Sequence, residues 1–207
     1  MTTPQTTALP QSARLLRRGL RLEYATLGWN VVGVVILAIG AVTAGSVALA
    51  GFGVDSLIEI GASTVVVWEL TGASPARERT AMKLIGSAFV VLVIYLLALV
   101  TYTFATGGHP QPSPLGIAWT AITLVVMLAL AAGKARTGKA LDNPVLQTEG
   151  RVTLVDAYLA AAVLVGLVLN AGLGWWWADP AAGLVIIYYA AREAHHALTH
   201  TRAPDTP

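Results

Sequence analysis

Six long apolar runs, separated by short polar stretches, make up most of the chain. They lie near 22–44, 46–70, 83–105, 115–133, 150–172 and 179–198. Each is close to the roughly 20 residues that a helix needs to cross about 30 Å of hydrocarbon. The pattern therefore predicts an all-α membrane protein with six transmembrane helices. PQPSP at 110–114 reads as a stiff turn, because proline stops helix continuation there.

The polar stretches predict orientation. Arg14, Arg17, Arg18 and Arg21 precede the first run, and Arg77, Arg79 and Lys83 fall in a loop expected over 71–83. Lys134, Arg136, Lys139 and Arg151 fall in a loop expected over 134–151, and Arg192 and Arg202 lie at the C-terminal end. These are all 13 basic residues, and six crossings place every one on the same side; the alternate loops at 44–46, 105–114 and 172–178 hold none. An excess of Lys and Arg marks the cytoplasmic side, so both termini are expected there, with the plasma membrane as the location. Trp175, Trp176 and Trp177 are placed to anchor the opposite face, and Trp68 the inner one.

The domain organisation follows. Residues 1–21 form an N-terminal segment: 1–12 are polar and Pro-containing, which predicts disorder, and ARLLRRGLRLEY reads either as a basic amphipathic helix on an anionic leaflet or as a positive flank of the first span. Residues 22–198 form the six-helix transmembrane domain, and 199–207 a short cytoplasmic tail. The first run begins too late for a cleaved signal peptide.

Composition narrows the chemistry. Hydrophobic residues make up 56% of the 207 and charged residues 12%, against about a quarter charged in a soluble domain, so the lipid bilayer is the main surrounding. There is no cysteine, which excludes disulfides, thiolate metal sites and thiol nucleophiles. The net charge of +2 is scattered between apolar runs, so no nucleic-acid partner is expected.

Against this background GFGVDSLIEIGAS (51–63) stands out, since it sets Asp55 and Glu59 inside an apolar run. An ionised Asp at the centre of a transmembrane helix costs about 2.5–3.5 kcal/mol on insertion scales. Four residues apart, the two acids share one helix face, and like charges so close call for a cation or shared protons between them. Ser63 continues the same row and offers a hydroxyl. Asp156 is a third deep acid, in the fifth run, and Asn30 lies at a similar depth in the first; at 1.5 Å per residue both fall roughly 10–12 Å from the inner edge, with Glu59 within about a turn of that level. Asn30 taken alone is more often an interhelical hydrogen bond, and Asp156 has an alternative as a partner of Arg151 or a helix cap.

At these residues the chain resembles the cation diffusion facilitators. GSVALAGFGVDSLIEIGAS (45–63) looks like that family's second transmembrane helix, with its acid-xxx-acid motif, and GWWWADPAAGLVIIYYAAREA (174–194) like its sixth-helix region. The resemblance implies a divalent metal cation/proton antiporter rather than an enzyme. It would export zinc, cadmium, manganese, iron or cobalt from the cytoplasm and hold no permanent cofactor. Asp55 and Glu59 match the second-helix ligands, and Asp156 the fifth-helix acid. Two departures follow. The family's usual imidazole or acid four residues before Asp156 is replaced by Val152, so Asn30 or Glu149 is left as a candidate fourth ligand, Glu149 reading equally as a solvated loop carboxylate. The family's cytoplasmic domain is also missing from the pattern, as in a short-form subgroup; a homodimer through the transmembrane helices is compatible with this.

Carboxylate and amide oxygens are hard donors that suit manganese, magnesium or iron(II) and tolerate zinc. Metal and protons compete for the same acids, which supplies a coupling mechanism for alternating access. His196 and His200 in HHALTH have the spacing for a secondary metal site at the cytoplasmic end, with a polar helix end as the plainer reading. No histidine lies deep in a span, which argues against bis-His haem ligation. Two other classes compete: a structural or signalling membrane protein without transport, and an intramembrane aspartyl protease. GFGVD departs from the protease's Gly-x-Gly-Asp by the extra Val54, and the Tyr-Asp partner is missing.

Overall fold

The structure, a computed structural model, describes residues 8–70 and 75–200. The described residues form six helices: α1 (Ala8–Ala44), α2 (Val47–Leu70), α3 (Pro75–Thr106), α4 (Pro114–Leu141), α5 (Pro144–Leu173) and α6 (Ala178–His200). The predicted spans are all present as helices, most of them longer than the apolar runs that announced them. From Ala8 onward the N-terminal segment is already helical and continuous with the first span; residues 1–7 and the tail from 201 lie outside the described residues. Arg77, Arg79 and Lys83 belong to the first turns of α3 rather than to a loop.

The largest correction concerns 134–151. The loop expected there is two residues long, Asp142 and Asn143, because the local sequence ends one helix and starts the next at once. Asp142 adopts left-handed backbone (φ 51°) and its N–H donates to the Gly138 and Lys139 carbonyls, while the Asn143 side chain accepts from the Leu146 N–H with Pro144 at the first helical position. Each device supplies partners for groups that helix ends leave open. At the opposite end of the bundle Ser113 caps α4 by accepting from the Gly116 N–H.

Five helices are long and apolar enough to cross a membrane: Ala13–Ala44, Val47–Thr64, Phe89–Thr106, Pro114–Leu141 and Glu149–Leu173. α6 has the length, 23 residues or about 34 Å, but carries Asp179 at one end and Arg192, Glu193, His195 and His196 at the other. Asp179 has a structural task. Fully buried, it accepts hydrogen bonds from the Ser46 hydroxyl and the Val47 and Ala48 N–H groups, so α6 caps the start of α2.

α2 is central and touches α1, α3, α5 and α6, while α4 packs on α5 and α1, and α3 on α6. Phe52, Leu92, Leu96, Val163, Leu167 and Ile186 form the main core. On α1 the buried positions run Gly19, Glu23, Thr26, Asn30, Gly33, Leu37, Gly40 and Ala44, the alternating spacing of three and four that faces a helix neighbour. Val31, Val32, Val35, Ile39 and Val42 are exposed. The apolar residues thus face lipid and the polar and small ones face inward, where close packing and hydrogen bonds join membrane helices.

The glycines divide. A Cβ at Gly51 would stand 2.8 Å from the Leu96 side chain, at Gly53 3.3 Å from Leu37, and at Gly33 3.4 Å from Trp119, so these three do permit close helix approach. Gly28 and Gly61, on the same two helices, have nothing within 4 Å. The aromatic girdle is built at the end opposite the α4–α5 turn: Trp175 stacks on Trp177, and Trp176 on His109. Trp68 is half-buried near the end of α2.

Candidate metal centre

Because Asp55 and Glu59 lie one turn apart on α2, both turn inward: their residues are 7% and 5% exposed. α1 meets them on one side, where the Asn30 Nδ2 donates to Glu59 Oε2 at 2.9 Å. α5 meets them on the other and brings in Asp156, 4% exposed, on which the charges of Glu59 and Asp55 both act. α1 and α5 thus bring Asn30 and Asp156 to the acid pair of α2. Three oxygens there, Glu59 Oε1 and both carboxylate oxygens of Asp156, are buried without a hydrogen-bond partner. A buried carboxylate oxygen left unpaired is costly. Even so, among the described residues no three His, Asp or Glu side chains are gathered tightly enough to hold an ion as they stand.

The additional ligand candidates go to different places. Asn30 is at the centre. Ser63 is buried, but its hydroxyl donates to Glu149 Oε1 at 3.3 Å and not to Glu59. Glu149 is neither a solvated loop residue nor free to compensate for Val152: it is 4% exposed and accepts from the Lys134 ammonium at 3.2 Å. Half-exposed Val152 contributes no ligand atom. His196 is exposed on the last turns of α6, its ring edge-on to His195; the His200 side chain lies outside the described residues. Asp156 has no hydrogen bond to Arg151, and it lies three turns inside α5, so it caps nothing.

Sequence reasoning missed a second polar group. Lys134, read as a topogenic loop charge, is 0% exposed inside α4. It is retained there because all three ammonium donors are used, on Glu23 Oε2 at 3.0 Å, Glu149 Oε1 at 3.2 Å and Thr153 Oγ1 at 3.1 Å. The signal lay in the row Gly116, Thr120, Thr123, Met127, Leu130, Lys134 and Thr137, all buried on one face of α4: a lysine on a row of small and polar residues points into the bundle.

A bundle of lipid-facing helices around a level of buried oxygen groups defines a multi-pass membrane protein with a polar centre. The comparisons agree, for the cation efflux transmembrane domain matches residues 24–201 and the chain belongs to the cation efflux family. It is 32% identical over 118 residues to the Cation-efflux pump FieF of Shewanella oneidensis, covering 54% of this chain and 36% of that protein. Transmembrane protein 163 of Xenopus laevis is 25% identical over 160 residues, covering 73% of this chain and 57% of that protein. The chain thus spans less than two thirds of either relative. Family membership sets the protease reading aside.

Proposed function

We propose that the protein is a divalent metal cation/proton antiporter of the plasma membrane that exports a transition metal from the cytoplasm. Asp55, Glu59 and Asp156 are the ligands and Asn30 the additional one, through its amide oxygen. One observation carries the reading: Glu59 Oε1 and both Asp156 oxygens are buried in the bundle with no hydrogen-bond partner, and an entering cation supplies the charge that draws these carboxylates together.

The donor set, carboxylates with an amide and no imidazole or thiolate, favours manganese or iron(II) alongside zinc. Protons compete with the ion for the same oxygens, so a site facing a more acidic exterior releases metal as it takes up protons. The basic flanks support cytoplasmic termini, although Lys134, buried within α4, no longer counts among them.

The test is uptake of zinc, manganese, iron(II) and cadmium into proteoliposomes under an imposed pH gradient, for wild type and Asp55→Ala. Gradient-dependent accumulation that stops in the variant supports antiport. Transport that persists in a folded Asp55→Ala protein sinks this assignment of the ligands.

A further inference from the structure

The polar residues of the bundle lie in two tiers. On α1, Glu23 precedes Asn30 by seven residues; on α5, Glu149 precedes Asp156 by seven; on α2, which runs the opposite way, Ser63 follows Glu59 by four. A step of seven is two turns and returns to nearly the same face, so the second tier sits about 10 Å along each of α1 and α5 from the first. It lies toward the α4–α5 turn. Its oxygens come from Glu23, Ser63, Glu149 and Thr153, residues that are all at least 95% buried.

The group at the middle of this tier is a cation. Lys134 Nζ donates to Glu23, Glu149 and Thr153 at 3.0–3.2 Å, and Ser63 completes the hydrogen bonding of Glu149. Two carboxylates surround one ammonium, which leaves the tier one negative charge in excess, and Glu23 Oε1 is buried with no partner. The tiers communicate, since the charges of Glu149 and Lys134 both act on Glu59. A plain structural ion pair needs one carboxylate; this tier has the oxygen count and the charge for a divalent ion. The ammonium, on a flexible four-carbon stem, is the part able to leave.

We propose that Glu23, Glu149, Thr153 and Ser63 form a second cation station on the path between the α4–α5 end of the bundle and the Asp55/Glu59/Asp156 centre, filled by the Lys134 ammonium until a divalent cation displaces it. The path rests on the transport reading above; the station does not, because its ligands are separate. Lys134 then acts as a tethered competitor that offsets one of the two carboxylate charges when no metal is passing.

The experiment is equilibrium dialysis of the detergent-solubilised full chain against cadmium and manganese. Asp55→Asn/Asp156→Asn is compared with the same protein carrying Lys134→Gln, and with a third carrying Glu23→Gln and Glu149→Gln as well. The station predicts that adding Lys134→Gln creates binding of about one ion per chain and that the two further substitutions abolish it. A folded Lys134→Gln protein that binds no more than its parent overturns the station. Absence of binding by wild type, with binding by the Lys134→Gln protein, overturns the centre and overturns displacement of the ammonium as well. Should Lys134→Gln not fold, amine acylation of wild type read by mass spectrometry decides, with exposed Lys83 and Lys139 as internal controls. Labelling of Lys134 that rises at least several-fold in saturating metal supports displacement, and continued protection contradicts it.

Discussion

Asn30 on α1 donates its side-chain N–H to Glu59 on α2 at 2.9 Å, both residues at least 95% buried. One amide thereby occupies one carboxylate oxygen, Oε2, and leaves Oε1 without a partner. The contact fixes the acid without neutralising it, as a polar neighbour that orients a ligand should.

Asn30→Ala removes that orientation together with the amide oxygen proposed as the additional ligand. Partners that hold a metal-binding group in place are worth about 10–100-fold in metal affinity, and a hydrogen bond to a charged group about 1.5–3 kcal/mol. Titration of the solubilised variant with metal is expected to show weaker binding within that range, with the helical content retained. Unchanged affinity would assign Asn30 to packing alone.

Lys134 is a matter of stability as well as of ions. Removing one partner of a buried ion pair costs about 3–5 kcal/mol, because a charge is left uncompensated. Lys134→Met is expected to lower the thermal unfolding temperature in detergent, and Lys134→Met/Glu23→Gln/Glu149→Gln to recover much of the loss. A triple variant no more stable than the single one would contradict the pairing.

At the far end of the bundle Asp179 holds the start of α2, twelve residues before Glu59 and so about 18 Å away along the helix. Loss of a cap costs about 0.5–2 kcal/mol. Asp179→Ala should therefore melt earlier while binding metal with wild-type affinity; a matching loss of affinity would place Asp179 in the site's machinery.

The glycines give a paired test of packing. A Cβ at Gly166 would meet the Ala178 carbonyl oxygen at 2.8 Å and the Ala182 Cβ at 2.9 Å, whereas one at Gly28 meets nothing within 4 Å. Gly166→Ala is expected to destabilise by about 1–3 kcal/mol through overpacking, and Gly28→Ala to be neutral or to gain up to about 1 kcal/mol from helix propensity. Thermal melting of the two variants separates them, and equal melting would contradict the close α5–α6 approach.

The spans and the Asp55/Glu59 pair were legible in the sequence for the same reason, that lipid penalises polarity so strongly that apolar runs and the acids within them stand out. Asn30 and Asp156 were legible by counting residues to a depth. Lys134 escaped hydropathy, which scores a lysine at the end of an apolar run alike whether it flanks the membrane or is buried; only the face it shares with Thr120, Thr123 and Thr137 marks it as inward, and its ion partner Glu23 is 111 residues away. The fates of Glu149 and Ser63 followed from that omission, since both are bound into the lysine's group. The helices extend through 134–151 because Asp142, Asn143 and Pro144 make a two-residue turn, a local device that hydropathy does not register.

The most direct test of the central claim is X-ray absorption at the edge of bound zinc, with wild type and Asp156→Asn compared at equal loading. A carboxylate centre gives a first shell of oxygen only, at about 2.0–2.2 Å, and tight binding is lost in the variant. A shell containing imidazole nitrogen, or tight binding that survives unchanged in Asp156→Asn, would place the metal elsewhere on the chain and contradict the carboxylate centre.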